Sequence, residues 1–101
     1  MSEVVQIDTH LVALTKQLLA LAKEQRDALQ RGTIQQLDWL SGRIEDLIAE
    51  VRRASEAEPP SEQEIAALRE LATEFEAVWA ESQMAVDALN RQVAQTLRTE
   101  Q

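Results

Sequence analysis

The sequence predicts an all-α fold, a three-helix antiparallel bundle or coiled coil whose long C-terminal helix partly projects. Three observations carry that prediction. Alanine and leucine lead the composition with 15 and 13 copies, whereas glycine and proline appear twice each. Long stretches without a breaker favour helix. Apolar residues recur in alternating steps of three and four, which lines one face at 3.6 residues per turn. The strongest stop signals, at Gly32 and at Pro59-Pro60, divide the chain into three segments. With 101 residues the chain suits one helical domain spanning 1–101. Phe75, Trp39 and Trp79 are its only aromatic residues, so a thin bundle filled with aliphatic side chains is expected.

The first helix is expected over about 4–30. Val4, Ile7, Leu11, Leu14, Leu18, Leu21, Gln25 and Ala28 form its stripe, and Leu19, Ala22 and Leu29 widen it enough to touch two neighbours. Ser2 and Asp8 are both suitable caps. Gln25 is the polar member of the stripe and either fixes register or reaches solvent near the helix end. Lys23 and Asp27 stand four apart, a surface pair worth a few tenths of a kcal/mol, on the order of 0.3.

At Arg31-Gly32-Thr33 a stop is followed directly by a start. Glycine takes the left-handed position that closes a helix, and Arg31 faces the negative end of its dipole. Thr33 with Gln36 reads as a capping box, so a tight fold-back is expected. One uninterrupted helix is the alternative, since interior glycine costs only about 1 kcal/mol relative to alanine. The second helix is expected over about 34–55, with Leu37, Leu40, Ile44, Leu47, Val51 and Ala54 on its seam and Ile34 and Ile48 beside it. An acidic connector at 56–61 contains the two prolines, and Ser61 with Glu64 makes a second capping box.

The third helix is expected over about 62–99. One track holds Ile65, Leu68, Ala72, Phe75, Trp79, Ser82, Val86, Leu89, Val93 and Thr96, and a second holds Leu71, Val78, Ala85 and Leu97. Trp79 and Phe75 are expected in the core. At 1.5 Å per residue the three helices measure roughly 38, 32 and 55 Å. The third then runs beside the second to about Ser82 or Val86 and overshoots the Gly32 corner. Val86, Leu89, Val93 and Leu97 become an apolar stripe without an internal neighbour, which points to a partner chain. Trp39 either covers the corner or serves as an aromatic anchor at the bundle tip. Met84, soft and polarisable, suits packing or an adaptable contact.

Eighteen acidic and ten basic residues give a net charge of −8, which disfavours nucleic acid and anionic membrane surfaces as partners. No window approaches the roughly 18 apolar residues of a membrane span, so no direct membrane insertion is expected. The start, MSEVVQIDTH, is acidic where a signal peptide is basic. With no cysteine the chain suits a cytoplasmic setting. His10 is the only histidine and is expected on a solvated flank, so catalysis, a metal and a cofactor all lack a basis. Glu56, Glu58, Glu62 and Glu64 lack the spacing of a calcium loop and read as a solvated connector.

The segment LLALAKEQRDALQRGTIQQLDWLSGRIEDLIAEV resembles the N-terminal half of flagellar export chaperones of the FlgN type. Glu24, Arg26, Ala28, Leu29 and Gly32 carry the likeness, followed by Leu37, Leu40, Arg43 and Leu47. The resemblance implies a cytoplasmic, non-catalytic chaperone that binds C-terminal helical segments of hook-filament junction proteins and delivers them to the export apparatus. Its binding residues would be Val86, Leu89, Val93 and Leu97. The Asp38-Trp39 pair is similar to the chaperones of the filament cap protein, and needle-type secretion chaperones are also related in style. A different class is a structural coiled coil in which the stripe pairs with its own copy as a homodimer. A small regulator that wedges a helix into an enzyme is a third reading.

Overall fold

The computed structural model describes residues 9–99. They form three α-helices, α1 (His10–Arg31), α2 (Leu37–Ala57) and α3 (Glu62–Thr99), with a 3₁₀ turn at Ile34–Gln36 and no β-strand among the described residues. Thr9 caps α1, its hydroxyl oxygen accepting the Val12 N–H at 3.4 Å. Val4, Ile7 and the candidate caps Ser2 and Asp8 lie outside the described residues.

Gly32 ends α1 in the left-handed conformation, φ 73°. The Thr33 N–H donates to Ala28 O at 2.9 Å and the Gly32 N–H to Leu29 O at 3.2 Å, the paired bonds of a Schellman motif. The expected box between Thr33 and Gln36 does not form. The Thr33 hydroxyl donates instead to Ala28 O at 3.3 Å, the same carbonyl that accepts the Thr33 N–H. Ile34–Gln36 then tighten into the 3₁₀ turn, so α2 begins at Leu37, and Ile34 is exposed rather than beside the seam. The second box is present on both sides: the Ser61 N–H donates to Glu64 Oε1 and the Glu64 N–H to Ser61 Oγ, each at 3.2 Å.

Cross-helix pairs fix the topology. Leu14 and Leu18 pack with Leu47, and Gln25 Nε2 donates to Ser41 Oγ at 3.3 Å, so α1 and α2 run antiparallel. Gln25 is therefore half-buried and bonded across the hairpin instead of reaching solvent. Thr9 Oγ1 donates to Glu64 Oε2 at 2.9 Å, and Arg26 meets Glu81 at 3.2 Å farther along, so α3 runs parallel to α1.

The largest departure from expectation is which helix is central. α3 does not run beside α2: no Cα of one lies within 8 Å of a Cα of the other among the described residues. Both pack on α1, which supplies seven of the ten buried apolar side chains among the described residues. Leu14 and Leu18 face α2, while Leu19 and Ala22 face α3 with Val78 and half-buried Leu71. The widened stripe of α1 thus satisfies two neighbours that do not satisfy each other. Phe75, half-buried, is the side chain packed against both clusters. Trp79, expected in the core, is 58 % exposed because it falls on the flank of α3 that a direct α2 neighbour would have covered.

Candidate partner-binding surface

Two apolar surfaces follow from this arrangement. The first is the end of α3. A Cβ built on Gly32 would stand 4.0 Å from Leu89 Cδ2, so α3 draws level with the corner at Leu89. The ten residues from Asn90 to Thr99 continue beyond it for roughly 15 Å. The projection is thus shorter than the sequence implied. Val86 and Leu89 are half-buried against the bundle tip, whereas Val93 and Leu97 are 57 % and 59 % exposed. The four form one continuous flank, half of it covered.

The other two candidates stand apart from that flank. Met84 is 70 % exposed but lies about 160° round α3 from the Val86–Val93–Leu97 line. Trp39 does not cover the corner. It is 62 % exposed, on the side of α2 opposite Leu37, Ser41 and Ile48, about 100° from the Leu40 seam.

The second surface is a groove of about 490 Å³ between α2 and α3. Thr15 and Leu18 of α1 form its floor, Ile48 and Val51 one wall, and Leu68, Leu71, Ala72 and Phe75 the other. On the same helix faces nearer the tip, a separate, smaller cleft of about 220 Å³ lies between Leu37 and Ser41 on α2 and Trp79, Gln83 and Val86 on α3. Sequence reading missed this groove. Its signal was the double apolar track of α3, wider than one seam requires, but periodicity does not say which neighbour leaves a flank uncovered.

Electrostatics around these surfaces are set by local pairs. Arg26 holds Asp27 at 3.1 Å and Glu81 at 3.2 Å, pinning α3 to α1, and Lys23 reaches Glu74 at 3.6 Å instead of pairing with Asp27. Glu64, accepting the Ser61 N–H and then the Thr9 hydroxyl, is held below its ordinary carboxyl pKa of 4.5. His10 is exposed beside a small pocket at the opposite end, with Glu58 and Glu64. Among the described residues no three acidic or histidine side chains converge where one metal ion would bind, and no helix is long and apolar enough to cross a membrane.

The fold and surface together define an elongated all-α three-helix bundle with uncovered apolar flanks. No protein-family model matches the chain, and no curated protein or solved structure gives a significant match.

Proposed function

We propose that this chain is a cytoplasmic helix-capture chaperone that holds an export substrate unassembled, acting without catalysis. The observation that carries this reading is the apolar flank of α3, which continues past the Gly32 corner into exposed Val93 and Leu97. A released substrate helix laid along Val86, Leu89, Val93 and Leu97 extends the bundle and covers its own assembly face. Fully burying a side chain of this size stabilises by about 1.5–3 kcal/mol. The likeness of residues 18–51 to flagellar export chaperones of the FlgN type supplies the substrate class, the C-terminal helical segments of hook-filament junction proteins.

Val93→Asp with Leu97→Asp tests the reading without touching the core, because both side chains are exposed. Binding of a junction-protein C-terminal segment, measured by calorimetry, should weaken about tenfold or more while circular dichroism stays unchanged. Unchanged affinity removes the projecting end from the mechanism. Recovery of the filament cap protein or a needle-type subunit in its place redirects the substrate, and a stable dimer without any partner replaces capture with self-assembly.

A further inference from the structure

The groove between α2 and α3 has the form of a seat for a fourth helix. α1 closes it below, and the two walls stay too far apart to fill it themselves. We infer that this groove docks a basic amphipathic helix of a partner protein, about five turns long, along a path that meets the projecting end of α3 only at Val86. The inference goes beyond the chaperone reading and does not depend on which substrate that reading names.

Length, lining and charge each specify the occupant. The α3 wall runs from Leu68 to Val86, roughly 27 Å, and the facing α2 wall from Val51 to Leu37, roughly 21 Å. Leu18, Ile48, Ala72 and Phe75 give an apolar bed, and Ser41 and Gln83 add polar groups toward the tip. A helix with one apolar face therefore fits, with its polar side turned outward. By helix phase the outer rims carry Asp38 and Glu45 on α2 and Glu76 and Asp87 on α3, against Arg52 and Arg69, all exposed. Four acids against two arginines favour lysine or arginine beside the occupant's apolar face. A second copy of this chain brings its own net charge of −8 to the same rims and meets repulsion.

Trp79 lines the cleft end of this path and Trp39 lies off it, so Trp39→Phe leaves one tryptophan reporting on the groove. The probe is a synthetic peptide of about 18 residues, long enough for the span at 1.5 Å per residue. It carries leucine on one face with lysine and arginine beside it, and its control carries glutamate there. On the full chain, the basic peptide should bind with a blue shift of Trp79 emission, and the acidic one about tenfold or more weaker. Ala72→Arg, on an exposed wall position, should weaken the basic peptide by a similar factor, and Ile48→Asp should do the same, with helix content intact. The paired Val93→Asp and Leu97→Asp changes should leave it unaffected. Equal binding of both peptides, or insensitivity to Ala72→Arg and Ile48→Asp, overturns the inference. So does a Trp79 shift that grows with protein concentration alone, which places a second copy in the groove. Loss only in the Val93/Leu97 variant overturns the groove while leaving the chaperone reading standing.

Discussion

Gly32 shows how much one residue decides. Its φ of 73° suits a residue without a Cβ, and an added Cβ would meet Leu89 Cδ2 at 4.0 Å, an ordinary contact. The cost of Gly32→Ala is therefore backbone strain alone, about 1–2 kcal/mol, read as a lower urea midpoint at unchanged slope. A much larger loss would mean that Leu89 is tighter against the corner than 4.0 Å allows. Glu64 acts at the same scale through charge. Its carboxylate accepts from Ser61 N–H and from Thr9, which lowers its folded pKa below the ordinary 4.5. A lowered folded pKa stabilises fully above the unfolded value and loses that contribution as pH falls through the folded one. The melting-temperature gap between the native chain and Glu64→Gln should thus be constant above roughly pH 5 and close on acidification. A gap independent of pH would show that the contacts do not depend on charge.

At the scale of elements, Phe75 is the test of the split core. It packs against both the Leu14–Leu18–Leu47 and the Leu19–Ala22–Val78 clusters, so truncation opens space against both. Fully buried Phe→Ala changes cost about 3–5 kcal/mol, and half-burial reduces this to roughly 2 kcal/mol for Phe75→Ala. Loss of far less would show that the clusters stand without their bridge, and chemical denaturation measures it. The helices were readable in the sequence because their signals are local. Period, the Gly32 stop and the Ser61–Glu64 box each involve residues a few positions apart. What was not readable is long-range. Leu19 and Ala22 reveal that α1 has two apolar sides, but nothing local states that α3 takes one of them and stays clear of α2. For the same reason Trp79 read as core, and the flank of Val86 and Leu89 read as wholly free when the bundle tip half-covers it. Thr33 misled through chemistry, since its hydroxyl serves Ala28 behind it and not the helix ahead.

Taken as a whole molecule, the bundle is drawn out to 64 × 30 × 16 Å, with a Cα radius of gyration of 17.5 Å. A compact chain of this length would have about 13 Å. Such a shape keeps most charges at the surface, where a net −8 repels itself at low ionic strength. Opposing this are the α1–α3 pairs Lys23–Glu74 and Arg26–Glu81. Surface pairs of this kind contribute only about 0–1 kcal/mol each. Screening should therefore relieve more repulsion than it removes attraction. Raising salt from roughly 0.01 M to roughly 1 M shrinks the Debye length from about 30 to about 3 Å and should raise the melting temperature. A fall would assign the bundle's electrostatics to its ion pairs instead. The same screening lets like-charged copies approach, so the melt needs sedimentation beside it. A rise at constant monomer mass is repulsion relieved within one chain, whereas a rise that scales with protein concentration is association through the uncovered flanks.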